Sequence, residues 1–210
     1  MSENYADKDL ETKLREAVWA ARALFERSKT SGTTANISFL HDGQIYISCS
    51  GSCFGTLTEA DFVKVPLKDV TAVSADDGKK PSKELPLHRM LYQADLSIQA
   101  VLHAHSPYAT LWSCLDHPDK RNVVPAYTPY LGMKLGKVVS VPYGKPGSPE
   151  LFAAFKACLG KEHGYLLSKH GPVVGGKSML NAFEALEELE QSSFIAWELK
   201  LGQVEGVTEV

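Results

Sequence analysis

The stretch IQAVLHAHSP, residues 98–107, decides the fold. Its first part is an apolar, β-branched run that predicts a short strand, and Ser106-Pro107 then predicts a helix start with Ser as the N-cap. His103 and His105 lie two apart at the end of this strand. Because side chains alternate faces along a strand, the two imidazoles point the same way and form half of a metal site. The alternative is structural, with one ring capping the strand and the other satisfied in the core.

Helices and strands alternate on both sides of this stretch. Apolar residues recur on one helical face between Leu10 and Phe25, with Asp7 and Asp9 as possible caps. Further helices are predicted over 81–94, over 148–160 and from 178 onward. HDGQIYIS, residues 41–48, predicts a turn leading into a strand, and GYLLSKHG, residues 164–171, predicts another short strand. Short strands with hairpin-like turns indicate an α/β fold with a central, mostly antiparallel sheet covered by helices.

Length and composition favour one domain over residues 1–210. A chain of 210 residues with 44% hydrophobic residues can bury one core of ordinary size. The net charge of −3 excludes the basic field that attracts nucleic acid or anionic membranes. The polar, acidic N-terminus and the lack of long apolar runs predict an unexported, cytoplasmic protein. The four cysteines are predicted to be buried thiols in a reducing compartment.

Two further residues complete a candidate metal site. His170 lies at a predicted strand end, where the following Gly and Pro leave the imidazole facing a loop. Three histidines at strand ends suit zinc, which prefers nitrogen ligands. Glu84 stands at a predicted helix start, where it is either an ordinary first-turn acid or a carboxylate that binds the metal and exchanges protons. The remaining histidines are expected on the surface or on helix faces, without a metal role: His41, His88, His117 and His163.

Three loops rich in small polar residues predict a phosphate site. They offer hydroxyls and backbone amides without a basic patch, and Ser82-Lys83 precedes a helix N-terminus, which favours anions. Plain turn chemistry is the alternative for each loop taken alone. The candidate residues are Gly32, Thr33, Thr34, Asn36, Ser50, Gly51, Ser82 and Lys83.

Together these motifs resemble the class II aldolase and adducin-head family. SGTTANIS, ISCSG, PSKE, HAH and KHG occur in that order over nearly the whole chain. The resemblance implies a three-layer α/β/α domain, assembled as a homotetramer with sites near subunit interfaces. It also implies a Zn²⁺ site, with Mn²⁺ or Co²⁺ as other divalent ions, formed by Glu84, His103, His105 and His170. It places the substrate phosphate at Thr33, Asn36, Ser50, Gly51, Ser82 and Lys83.

Within the family, three strings are most similar to enzymes that decarboxylate 3-oxo-tetronate 4-phosphates: GSCFGTLT, PSKELPLHRMLY and TPYLGMKLGKVVSVPYGKPGS. The implied reaction releases CO2 from a small phosphorylated sugar acid through a metal-bound enediolate and gives dihydroxyacetone phosphate. Glu84 is then the acid/base. A tyrosine from a neighbouring subunit is the implied second proton donor, assigned to Tyr130, with Tyr127 three residues earlier as the alternative.

Three rival interpretations remain open at the level of sequence. A fuculose- or ribulose-phosphate type aldolase, or a thioribulose-phosphate dehydratase, would use the same metal and phosphate loops. A non-catalytic adducin-like module would keep the fold without needing the metal ligands, all of which are present here. A structural zinc site is usually rich in cysteine, and no cysteine adjoins the histidines in sequence.

Overall fold

The computed structural model describes residues 3–68 and 78–203, and its centre is a seven-stranded sheet. The strands are β1 (Asn36–His41), β2 (Gln44–Ser48), β3 (Phe62–Pro66), β4 (Ala100–His103), β5 (Val138–Val141), β6 (Gly164–Leu167) and β7 (Gly171–Gly176). The helices are α1 (Glu3–Glu26), α2 (Leu85–Ala94), α3 (Pro107–Ser113), α4 (Pro129–Lys134), α5 (Pro149–Cys158) and α6 (Met179–Leu201).

The strand order is β3-β2-β1-β4-β7-β6-β5, and every neighbouring pair is antiparallel except β5 with β6. Alternating side chains of the strands enter two separate hydrophobic cores. On β4, Leu102 packs on one face with α1, α3, α4 and α6, whereas Val101 packs on the other face with α2 and α5. The predicted three-layer α/β/α fold with a mostly antiparallel sheet is therefore confirmed.

Local signals account for several of the element boundaries. Asp42 and Gly43 both have positive φ, 47° and 70°, in the two-residue turn that joins β1 to β2, at the turn predicted in HDG. The hydroxyls of Ser148 and Ser178 accept hydrogen bonds from backbone N–H groups in the first turns of α5 and α6. No helix in the described part of the chain has the length and apolar character needed to cross a bilayer.

Several local predictions are wrong. The first helix begins at Glu3, so Asp9 lies inside it and neither predicted aspartate caps it. Helix α2 begins at Leu85 rather than at 81, because residues 81–84 form an irregular segment that brings Glu84 to the sheet. Cys114 is exposed and the other three thiols are half-buried, so none is a fully buried core residue.

Helix α3, which directly follows the histidine strand, is capped by a distant carboxylate. Ser106 occupies the predicted N-cap position, but its hydroxyl makes no capping bond. Instead, the buried Glu190 of α6 accepts hydrogen bonds from the backbone N–H groups of Tyr108 (3.0 Å) and Ala109 (2.8 Å). Lys29 Nζ lies 3.8 Å from the same carboxylate. A carboxylate at a helix N-terminus offsets both the unpaired N–H groups and the helix dipole.

Replacing Glu190 with Ala is expected to destabilise the protein by about 2–3 kcal/mol, because two backbone N–H groups, one buried and one partly buried, lose a charged acceptor. For a chain of this length that corresponds to a decrease in Tm of roughly 4–12 °C, measurable by thermal unfolding. The matched control is Glu187→Ala on the same helix, whose carboxylate pairs with the exposed Arg27. The control should lose about 0.2–1 kcal/mol. Equal losses in the two variants would contradict the capping role.

Candidate active site

The three predicted histidines converge at one end of the central strands. His103 is the last residue of β4, His105 follows it, and His170 lies in the turn between β6 and β7. Because β4 and β7 are antiparallel neighbours, with His103 opposite Val173, that turn reaches the end of β4. The ring centroids of His103 and His105 are 5.2 Å apart, and each lies 4.7 Å from that of His170. One ring nitrogen from each histidine lies within 4.8 Å of the others.

Burial keeps these imidazoles neutral. It lowers the pKa of His103 and of His170 to about 3, with repulsion between neighbouring imidazoles as a further cause, and it also lowers the pKa of His105. His103 Nδ1 donates a hydrogen bond to the carbonyl oxygen of Pro172 at 2.8 Å. That bond fixes the tautomer, so Nε2 carries a lone pair directed at the cluster.

Glu84 adds a carboxylate to the cluster. It is 4% exposed and directly precedes α2. Its Oε2 lies 3.3 Å from His103 Nε2, and its Oε1 lies 3.5 Å from His170 Nε2. Asn36 Nδ2 donates a hydrogen bond to Oε2 at 3.0 Å. Three neutral imidazoles and one carboxylate, all converging, form a donor set that suits a divalent metal.

Unsatisfied polar atoms provide an independent test of that fit. Glu84 Oε1, His103 Nε2 and His170 Nδ1 are buried and have no hydrogen-bond partner within the described chain. A buried polar atom without a partner costs free energy, and such atoms are rare in folded proteins. Two of the three, Glu84 Oε1 and His103 Nε2, face the centre of the cluster. The residues therefore fit a metal ion at this position.

A cavity of about 280 Å³ opens beside the cluster. Its lining contains all six residues predicted to hold the phosphate: Thr33, Asn36, Ser50, Gly51, Ser82 and Lys83. Glu84, His105 and His170 border the same space. A larger surface groove of about 550 Å³ lies beside Lys161 and Lys177, but the converging histidines are not part of it. The smaller cavity is therefore the candidate site.

Backbone hydrogen bonds join two of the polar loops that line the cavity. Ser50 N donates to the carbonyl oxygen of Lys80 at 2.8 Å, and Ser82 N donates to that of Ser48 at 3.2 Å. Gly51 turns the first loop with φ = 83°. Gly147 leaves room for the Lys83 side chain, since a Cβ at position 147 would lie 2.9 Å from Lys83 Cδ. The folded chain thus brings together loops that the sequence keeps far apart.

Asn36 is held differently from the other cavity residues. Its amide nitrogen donates to Glu84, and its amide oxygen contacts Nε2 of His88. The amide NH2 group has two hydrogens, and the bond to Glu84 uses one of them, so the second remains for another acceptor. The phosphate role predicted for Asn36 stays a prediction, and its observed contact is with the acid/base candidate.

Neither candidate tyrosine borders the cavity within one chain. Tyr130 lies on α4 and is 57% exposed. Tyr127 is partly buried against the core on the α1/α6 side of the sheet. Of the two, Tyr130 is the more exposed.

The sequence did not predict how deeply three further histidines are buried. His41 and His117 are nearly buried at 8% and 7% exposure, and His88 on α2 is fully buried. The signal for His88 was present, because Glu84 and His88 are four residues apart, the spacing that places two side chains on one helical face.

Comparison with known proteins agrees with this geometry. The sequence profile of the Class II Aldolase and Adducin N-terminal domain matches residues 15–197, so the chain belongs to that family. It is 36% identical over 179 residues to the 3-oxo-tetronate 4-phosphate decarboxylase of Pectobacterium atrosepticum, covering 85% of this chain and 80% of that one. It is 34% identical over 190 residues to the L-fuculose phosphate aldolase of Methanococcus maripaludis strain DSM 14266, covering 89% and 99% of the two chains.

Among solved structures, YgbL from Klebsiella pneumoniae is similar with a TM-score of 0.86 and 32% identity, over 95% of each chain. The relatives named are a decarboxylase and an aldolase, both of which are lyases. The predicted family and the predicted enzyme class are therefore confirmed.

Proposed function

We propose that this protein decarboxylates a 3-oxo-tetronate 4-phosphate to dihydroxyacetone phosphate and CO2. The observation that carries the proposal is the buried cluster of Glu84 with three histidines, bordering a small cavity with hydroxyls and one lysine. The similarity to 3-oxo-tetronate 4-phosphate decarboxylases supports the choice of reaction. In this reaction the C1–C2 bond breaks, its electron pair moves toward the C3 ketone, CO2 leaves, and C2 takes up one proton.

The cofactor of this reaction is a divalent metal held by Glu84, His103, His105 and His170. Nitrogen-rich sites favour Zn²⁺, and Mn²⁺ or Co²⁺ are the alternatives. When bound, the metal supplies Lewis acidity that stabilises the negative charge developing on the ketone oxygen. The neutral imidazoles and the unpartnered Glu84 and His103 atoms support this assignment.

The phosphate of the substrate binds on the loop side of the cavity. Hydroxyls and backbone amides donate hydrogen bonds to it, and Lys83 provides the positive charge. Because several elements contribute these donors, the substrate is held at one end while its carboxylate end faces the cluster. The proposed phosphate residues are Thr33, Asn36, Ser50, Gly51, Ser82 and Lys83.

Glu84 is the proposed acid/base. One of its oxygens is held by Asn36, while Oε1 faces the cluster without a hydrogen-bond partner in the described chain. Once the substrate takes its place at the cluster, Oε1 can exchange a proton with C2. Tyr130 is the proposed second donor, supplied from a neighbouring subunit of a homotetramer, and its exposure on α4 supports that role. A cytoplasmic location is also proposed, in keeping with the four free thiols.

A sugar-phosphate aldolase is the second candidate function. The chain covers 99% of an L-fuculose phosphate aldolase at 34% identity. Cleavage of a ketose 1-phosphate would use the same carboxylate, histidines and phosphate loops. A non-catalytic module needs none of the metal ligands, and the convergence of all four argues against it.

The decisive experiment measures turnover of 3-oxo-tetronate 4-phosphates by metal-loaded protein. Dihydroxyacetone phosphate is followed with a coupled assay, and an EDTA-treated sample is the control. We expect EDTA-sensitive release of dihydroxyacetone phosphate with no aldehyde co-product. Metal-dependent cleavage of L-fuculose 1-phosphate without decarboxylation would instead make the protein an aldolase, and inactivity on both substrates with no bound metal would favour the binding module.

A further inference from the structure

Four buried polar side chains continue from Glu84 into the protein interior. Asn36 and Ser38 lie two apart on β1, and His88 and Tyr92 lie four apart on α2. Asn36 is 6% exposed and the other three are fully buried. The spacing of two on the strand and four on the helix places each pair on one face, where the two elements pack together.

These side chains form one continuous chain of hydrogen bonds. Tyr92 Oη lies 2.7 Å from Ser38 Oγ, and Ser38 Oγ lies 2.7 Å from His88 Nδ1. His88 Nε2 contacts Asn36 Oδ1, and Asn36 Nδ2 reaches Glu84 Oε2 at 3.0 Å. Each side chain thereby contacts the next without an intervening backbone group.

Chemistry fixes the direction of every bond in this chain. Asn36 Nδ2 donates to Glu84 Oε2, so the amide oxygen of Asn36, which only accepts, faces His88. His88 must then donate from Nε2, and because burial lowers its pKa to about 3, the ring is neutral and its Nδ1 accepts. Ser38 therefore donates to Nδ1 and accepts from Tyr92.

We propose that His88 is a positioning residue for Glu84: through Asn36 it holds one carboxylate oxygen in place and leaves the other free for the proton transfer. Without His88, the Asn36 amide oxygen loses its donor, and only the bond to Glu84 still holds the amide. The amide can then rotate away from the carboxylate, which leaves Glu84 Oε2 without its fixed donor next to the reacting group. This inference rests on the proposed acid/base role of Glu84.

Two substitutions at position 88 separate positioning from mere structure. In His88→Gln the side-chain amide nitrogen reaches the place of Nε2 and can still donate to Asn36. In His88→Asn the shorter amide reaches only the place of Nδ1, so the contact with Ser38 survives and the donor to Asn36 is lost. Both variants bury an amide in place of an imidazole, so each is the other's control for stability.

We expect His88→Asn to lower kcat about 10–100-fold with KM within about threefold of wild type, in line with the loss of an outer-sphere hydrogen bond. His88→Gln should recover most of that loss. The control is His117→Asn, which removes a different buried histidine. His117 bonds to the Trp112 carbonyl on α3 and is not part of the hydrogen-bond chain to Glu84, so kcat should stay within about twofold of wild type. Equal kcat values for His88→Asn and His88→Gln would overturn the positioning role.

A second measurement tests the proposal even if His88→Asn does not fold. The nitrogen chemical shifts of the His88 ring, assigned by comparison with His88→Gln, report the tautomer in the wild-type protein. We expect a proton on Nε2 and none on Nδ1, whereas a proton on Nδ1 would overturn the positioning role of His88. If the wild type decarboxylates no substrate, the proposed function is rejected, and the tautomer of His88 still tests its positioning role. If the wild type is active and His88→Asn keeps full kcat, the positioning role is rejected and the proposed function stands.

Discussion

Replacing Glu84 with glutamine is expected to lower kcat by about 10²–10⁴-fold, the usual contribution of a positioned general acid or base. Glutamine keeps the shape of the side chain, and its carbonyl oxygen can still accept from Asn36. It cannot take up or release a proton at the pH of the reaction. Because Lys83 and the loop hydroxyls are unchanged, KM for the phosphorylated substrate should stay within about threefold of wild type.

The measurement is steady-state kinetics on protein saturated with metal, with metal content determined on the same samples. Metal saturation matters because Glu84 is also a proposed ligand and the substitution weakens metal binding. The control is Glu184→Gln, whose carboxylate pairs with Lys134 at the surface. Undiminished turnover in metal-saturated Glu84→Gln would reject the acid/base role.

Replacing His170 with alanine is expected to abolish metal binding and turnover together. His170 Nδ1 has no hydrogen-bond partner in the described chain, so removing the ring leaves no buried partner unsatisfied on that side. The loss of one of three imidazoles leaves a site with too few nitrogen ligands to hold zinc tightly. Metal content should fall from about one ion per chain to a small fraction of that value.

Thermal unfolding gives a readout of this variant that does not depend on activity. A ligand at 100 times its Kd stabilises the folded state by about 2.7 kcal/mol, so added zinc should raise the Tm of wild type but not that of His170→Ala. The matched control is His163→Ala, since His163 precedes β6 and His170 follows it. His163 pairs with Asp95 instead of joining the cluster. Zinc-dependent stabilisation of His170→Ala equal to that of wild type would contradict the metal site.

Much of the candidate site could be predicted from the sequence because its parts depend on local geometry. The alternation of side chains along a strand placed His103 and His105 on one side, and the rings do lie 5.2 Å apart. His170, 65 positions beyond His105, joined the prediction only as a residue of the right type at a strand end. Its approach depends on the antiparallel pairing of β4 with β7, which brings the turn before β7 to the end of β4.

The contacts that could not be predicted from the sequence are those between residues far apart in the chain. His88 was expected on a helix face without further role, yet α2 packs against the face of β1 that carries Asn36 and Ser38. The cap of α3 was assigned to the adjacent Ser106, but the carboxylate of Glu190 performs it from 82 positions beyond Tyr108. In both places a buried polar group found its partner on another element, because water was excluded from the interface between them.

The sequence did not indicate β1, β3, β5, β7 or α4. By itself, it determined five helices (α1, α2, α3, α5 and α6) and three strands (β2, β4 and β6), that Ser148 and Ser178 start helices, and that HDG forms a turn before β2. These outcomes rest on dihedral preferences and hydrogen bonds within a few residues of chain. Only the tertiary structure decided the strand order, the one parallel pair of β5 with β6, and the contacts that hold Asn36, Glu84 and His103. Those depend on which apolar faces are buried together, and burial is a property of the whole folded chain rather than of any local segment.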